Sequence, residues 1–331
     1  MFKVIADSGL RTDARTRDLE CMLRRDGPGI LGKIAGDLDR ALADRRVSGR
    51  PGEAVGRTLA KGDGWIVSDV VCTSGPRDRA FEEAHTGVSV AIVIAGSFEY
   101  RSARGRHLMT PGSFMLGNPG ECFECGHDHA AGDRCISFHY EPAFFASVTE
   151  ENDSRAETFK SSRIAPVRAS SEIVTQTTLA LGPVASMSWD ELAIDVADAA
   201  SRLSNGTSRR TSAVSRGIGA YVTDCVRTIE RDPSNQVSLG DLAAKAGLSS
   251  FQFLRAFRAL TGVTPHQFIL RTRLRSAAAR IAADSVRIID VALDAGFSDL
   301  SNFNHAFRAE FGATPTSFRD RARANALFAI R

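Results

Sequence analysis

The chain has 331 residues, 43% of them hydrophobic and 24% charged, with six cysteines and a formal net charge of +3. That length asks for two or three domains, the composition is that of a globular protein in water, and no apolar run approaches the roughly 18 residues of a bilayer span. The N-terminal "MFKVIADSGLRTDARTRDLE" has no apolar run after its first few residues, as an export signal would need, so the cysteines are expected in a reducing cytoplasm and not in a disulfide scaffold.

Residues 1–57 read as an N-terminal extension with one helix, because Ile30, Leu31, Ile34, Leu38 and Leu42 recur at helical spacing. Its end, "SGRPGEAVGR" (48–57), reads as a linker. A β-rich domain follows over 58–160. Within it "WIVSDVV", "VSVAIVI", "SFEYRS", "SFMLG" and "CISFHY" are short β-branched and aromatic runs, punctuated by "SGP", "AGS", "TPGS" and "NPGE". Such spacing predicts a barrel or sandwich. Trp65, Phe98, Tyr100 and Phe114 are expected in its core, some of them facing a small-molecule pocket, and His85 at a strand edge. Residues 161–203 turn helical, with a Leu192, Val196, Ala199 and Leu203 stripe that suits either a dimer surface or internal core. "SNGTSRRTSAVSR" (204–216) is a polar linker, and 217–331 reads as helices and short turns.

That last region carries an internal repeat. "LAAKAGLSSFQFLRAFRALTGVTPHQF" (242–268) aligns with "VALDAGFSDLSNFNHAFRAEFGATPTSF" (291–318), matching Gly247 with Gly296, Phe257 with Phe307, Gly262 with Gly312, Pro265 with Pro315 and Phe268 with Phe318. Each copy reads as a helix-turn-helix. A short helix stops at a glycine, and a serine (249 or 250; 298 or 301) caps a second helix. Leu254 and Phe257, or Phe303 and Phe307, are expected to bury one face of that helix and leave the other free for a major groove. Thr-Pro then opens the next helix, the first such helix running from about Pro265 to Ala283. From Val237 to Arg331 there are 13 Lys and Arg against 7 Asp and Glu, a net of +6 that leaves −3 on the first 236 residues. A basic surface coinciding with such a repeat points to double-stranded DNA.

The second copy supplies Ala292, Gly296, Phe297, Phe303, Phe307, Phe311, Gly312, Thr314, Pro315, Phe318 and Arg319. In this pattern the region 215–323 resembles the AraC/XylS family of bacterial transcription regulators, and the β-rich segment is more loosely similar to their cupin-like sensor domain. The resemblance implies a multidomain α+β protein: a cupin-like barrel with helices, then an all-α tandem helix-turn-helix. The whole is expected to be a homodimer, joined through helices at 161–203, whose β-rich domain senses a metal, redox state or small molecule and which is not an enzyme. Residue by residue, base contacts fall on Phe251, Gln252 and Arg255 in the first head, and on Leu300, Ser301, Asn304 and His305 in the second. Relatives often have arginine where His305 stands. An arginine such as Arg255 suits guanine O6/N7 and an asparagine such as Asn304 suits adenine. Lys245, Arg258 and Arg308 read as phosphate contacts, which position without specifying.

"CFECGHDHAAGDRC" (122–135) packs three cysteines and two histidines into fourteen residues. Cys122, Cys125, His127, His129 and Cys135 offer ligands for zinc or another transition metal. Two other readings stay open. Cys122 and Cys125 suit a redox pair, with Arg134 favouring thiolate, or the cysteines pack inertly. His127-x-His129-x3-Asp133 also resembles a degenerate cupin metal motif, which would suit an iron oxygenase with an appended helical domain. His139 is the nearest further histidine, and no G-x-S-x-G, Walker loop or H-E-x-x-H accompanies it.

Overall fold

The computed structural model describes residues 3–4, 30–151, 158–182, 187–204, 216–283 and 285–328. Nearly all of the 204–216 linker lies outside the described residues. β1 (Lys3–Val4) precedes α1 (Ile30–Ser48), in which Ile34 and Leu38 are buried as their spacing requires. Then come β2 (Ala54–Gly62), β3 (Trp65–Cys72), β4 (Phe81–Ala84), β5 (Val88–Gly96), β6 (Phe98–Ser102), β7 (Gly105–Met109), β8 (Phe114–Gly117), β9 (Cys122–Gly126) and β10 (Asp133–Tyr140). β2 starts inside the stretch that reads as a linker. Its polar residues mislead because it pairs only with β3 and the short β1 and leaves much of its surface in water. α2 (Pro142–Glu151), β11 (Arg163–Ile164), α3 (Ser171–Leu179) and α4 (Trp189–Ser204) complete this half.

The strands form a seven-stranded sheet, ordered β1-β2-β3-β10-β5-β8-β11, and a four-stranded sheet, ordered β4-β9-β6-β7. One core lies between them, made of Ala91, Val93, Phe98, Tyr100, Met109, Phe123, Cys125 and Cys135. The other face of the larger sheet, including Val90, Ile92, Phe114, Ile136 and Phe138, packs against α1, α2 and α4. β5 is buried along its whole length, which is why "VSVAIVIAG" is apolar on both faces instead of alternating. Leu192 and Val196 are fully buried in this core, and Tyr140 Oη donates to the Ala193 carbonyl at 2.8 Å. The stripe offered for dimerisation is therefore internal core, each such side chain contributing about 1.5–3 kcal/mol through burial.

The C-terminal half is all α: α5 (Arg216–Arg231), α6 (Leu239–Lys245), α7 (Ser250–Thr261), α8 (Pro265–Ala283), α9 (Ile288–Asp294), α10 (Leu300–Phe311) and α11 (Pro315–Phe328). α6-α7 and α9-α10 are the two helix-turn-helix units. Gly247 and Gly296, just past α6 and α9, take φ of 66° and 83°, as a left-handed C′ residue does. The first core gathers Phe253, Phe257 and Phe268; Leu254 is only half-buried and Phe253 takes the place expected for it. The second core gathers Phe303, Phe307, Phe311 and Phe318. α8 gives Phe268 to the first core and Leu274, Ala278 and Ile281 to the second. Its 19 residues make a rod about 28 Å long that fixes the two units on one frame.

Candidate nucleic-acid interface and sensor cluster

α7 begins with a capping box: Ser249 Oγ accepts from the Gln252 backbone N–H, and Gln252 Oε1 accepts from the Ser249 N–H at 3.0 Å. The Gln252 side chain is thus engaged at the helix start, so its expected base contact competes with the cap. Phe251 is 66% exposed, an unusual position for a large ring, and the Arg255 guanidinium lies 5.6 Å from its centroid. That stacking holds an exposed arginine and an aromatic face together on the outer side of the helix. Arg258 and Lys245 are exposed on the same unit.

In the second unit the cap is Asp299 and not a serine: its Oδ1 accepts from the Asn302 backbone N–H at 2.8 Å. Ser301, Asn304, His305 and Arg308 are exposed along α10, while Leu300 is half-buried against the second core. Among the described residues, no ion pair engages Arg255, Arg258 or Arg308.

The β-rich half grips both units from behind. Arg163 Nη1 donates to the Leu108 carbonyl at 3.1 Å and to the Leu260 carbonyl near the end of α7. Gly262, at φ 85°, ends α7 where a Cβ would stand 2.5 Å from that of Ala165, so glycine answers both the turn and the close approach. Near the end of α10, Glu310 accepts from Ser171 Oγ and pairs with Arg271 at 3.3 Å. Arg275 Nη2 reaches the Pro111 carbonyl at 3.3 Å from within α8.

The cysteine and histidine cluster is partly a strand, not a loop. β9 runs through Cys122–Gly126, so residues three apart point to opposite faces. Cys122 is exposed and Cys125 buried, which separates the expected redox pair and removes Cys122 from any common site. His129 also leaves the group: its Nε2 lies 3.9 Å from Glu99, and its ring abuts Gly219 of α5. His139 is held by Ser89 and Ser137, so the arrangement of two histidines and one carboxylate is not assembled.

What does come together is Cys72, His127 and Asp133, all buried, with one ligand atom from each within 4.8 Å of the others. Cys72 ends β3 directly opposite Asp133, the first residue of β10. His127 Nε2 lies 2.7 Å from Asp133 Oδ1, and Cys135 Sγ donates to Asp133 Oδ2 at 3.3 Å. Burial works against charge on His127, yet its hydrogen bonds to Asp133 and Cys72 prevail and raise its pKa to about 10. Burial first, then the Asp133 charge, pushes the Cys125 and Cys135 thiols up. Arg134 does not lower them, because its guanidinium is committed to Asp69 at 2.9 and 2.8 Å and to Asp37 at 3.2 Å. Cys72 was the residue missed from sequence. Only the β3–β10 register reveals it, since Cys72 precedes even Cys122, the first residue of the cluster, by 50 residues.

His85 directly follows β4, the edge strand of the smaller sheet, and turns its side chain inward. It is buried, 2.9 Å from Tyr100 Oη and stacked on Phe123 at 4.3 Å, and burial brings its pKa down to about 4.

The family comparisons agree with this architecture. Residues 242–321 match the family model of a helix-turn-helix domain, and residues 70–177 that of an AraC-like ligand binding domain. The Transposon Tn10 TetD protein of Escherichia coli is 32% identical over 98 residues, 30% of this chain and 71% of TetD. The chain belongs to the AraC family of transcriptional regulators. The probable transcriptional regulator LumQ of Photobacterium leiognathi is 37% identical over 91 residues, 28% of this chain, and the match spans only 37% of LumQ. An AraC-type regulator of known structure from Chromobacterium violaceum aligns with 33% of this chain and 96% of its own, at 28% identity and a TM-score of 0.30. Its two family matches pair a helix-turn-helix domain with an AraC-like ligand binding domain. Among its described residues no helix is long and apolar enough to cross a membrane.

Proposed function

We propose that this AraC-family protein binds duplex DNA sequence-specifically through both helix-turn-helix units and regulates transcription in response to a ligand of its β-rich domain. The observation that carries the reading is the pair of capped recognition helices, each burying phenylalanines on one face and leaving polar or basic residues free on the other. Phe251 and Arg255 present the first reading surface. Ser301, Asn304 and His305 present the second, with Leu300 at its margin. Lys245, Arg258 and Arg308 flank them as phosphate contacts. The α8 rod sets the heads to enter successive major grooves, about 34 Å apart on one side of the duplex. Tandem heads on one chain make a second copy unnecessary for two-site reading. The grip on α7 and α10 supplies the linkage: a ligand that prefers one arrangement of the β-rich half shifts the population competent for DNA.

Selection from random duplexes tests this. The expected result is an enriched site with two elements about one helical turn apart, bound with steep salt dependence. Binding that depends on salt but enriches no sequence would overturn it.

A further inference from the structure

The strongest chemistry outside the reading heads is the group buried between the two sheets. Cys72, His127 and Asp133 come from three separate segments, the end of β3, the residue after β9 and the start of β10, and they converge within 4.8 Å. Ligands sharing a tetrahedral zinc-type ion sit about 3.4–3.8 Å from one another, given metal bonds of about 2.0–2.3 Å. The group is therefore close to that spacing before any ion enters. Two further thiols, Cys125 and Cys135, are buried beside it, Cys135 within hydrogen-bond distance of Asp133. Phe98 closes one side, its ring 6.1 Å from that of His127.

We infer that Cys72, His127 and Asp133 bind a divalent transition metal of the zinc class, with the adjacent Cys135 or Cys125 thiol available as a fourth ligand. This rests on the regulator reading for its consequence, not for the site. Sulfur and imidazole donors favour zinc and cobalt over magnesium or calcium, which want oxygen. Charge favours it too. Binding would release the Cys72 and His127 protons to solvent; one thiolate and one carboxylate then cancel the dication, so the loaded three-ligand site is neutral in a place where uncompensated charge is costly. Arg134, next to Asp133 in sequence, already serves Asp69 and Asp37.

The site is also wired to the DNA-binding half. Between His127 and Asp133 the chain runs against α5. Arg227 of α5 donates to the Ala131 and Gly132 carbonyls, the latter at 3.0 Å, immediately before Asp133. Gly219 of the same helix leaves room for the His129 ring, whose Nε2 lies 3.3 Å from where a Cβ would stand. An ion joining His127 to Asp133 fixes both ends of the segment on which Arg227 pulls. The metal is thus the effector of the β-rich domain, and Arg227 transmits its presence.

The full chain, stripped of metal under reducing conditions, is titrated with cobalt(II) and followed by its thiolate-to-cobalt charge-transfer band. One cobalt per chain is expected. Cys72→Ser and His127→Gln are expected to weaken binding about a hundredfold or more, at or beyond the 10–100-fold typical of groups that only support a ligand, while Cys122→Ser leaves it unchanged. Arg227→Ala should bind cobalt normally, yet zinc should no longer change its affinity for the selected duplex. The circular dichroism of each metal-free variant checks that it folds, and the wild-type titration stands without any variant. Absence of the band, or its loss in Cys122→Ser but not in Cys72→Ser, overturns the site. Because no DNA enters the cobalt titration, failure there leaves the duplex selection as an independent judge of the regulator reading.

Discussion

The two helix-turn-helix units share a scaffold and differ in the side chains they expose. Phe253, Phe257 and Phe268 pack the first, and Phe303, Phe307 and Phe318 occupy the corresponding places in the second. Outside that core the likeness stops. The first unit caps α7 with neutral side chains and presents an arginine stacked on an exposed ring. The second caps α10 with a carboxylate and presents Ser301, Asn304 and His305. A repeated core fixes how each second helix is held; the exposed positions, free of that constraint, differ. On the proposed reading, the first head offers an arginine suited to bidentate readout and the second shorter polar side chains.

Removing the core from one unit at a time tests how separate the heads are. Phe307→Ala should cost about 3–5 kcal/mol, read as lost hydrogen-exchange protection in α10 and α11 while α7 stays protected. Phe257→Ala should do the reverse. Equal loss in both units after either change would show that α8 couples them into one cooperative body.

A smaller effect separates the reading surfaces. Arg255→Ala should weaken binding to the selected duplex by about 1–3 kcal/mol and relax preference at one base. His305→Ala should cost less and leave base preference at the first element intact. If the two losses are equal, the division between an arginine head and a shorter polar head fails.

The repeat was legible in sequence because its signals are local: glycine at C′, a cap, paired phenylalanines four apart, and Thr-Pro opening the next helix. Within it, Phe253 was overlooked in favour of Leu254, since the two are adjacent and only packing decides which points inward. The β-rich half was legible as texture but not as topology. Its runs of β-branched residues announce strands, whereas β2, polar and near the sheet's edge, reads as a linker. The cysteine and histidine cluster shows the limit most clearly. Sequence proximity joined Cys122 and His129 to the group, but strand alternation turns Cys122 outward and α5 draws His129 away. Long-range register brings in Cys72 instead, and nothing short of the sheet order contains that information.

The smallest expected effect concerns the caps and depends on pH. The hydrogen bond from the Asn302 backbone is the first of the causes that hold the Asp299 carboxyl below its ordinary 3.8. A carboxylate whose folded pKa is depressed contributes its stability above the unfolded value and loses it as pH falls through the folded one. The cap of α10 is therefore intact at neutral pH and is lost below about 3.8. The Ser249 and Gln252 box on α7 has no group that titrates there. On acidification, amide exchange at the first turn of α10 should rise before that of α7, and Asp299→Ser should remove the difference. If α7 frays first, or if the difference persists in Asp299→Ser, the two heads are not distinguished by their caps and the contrast between them rests on the reading faces alone.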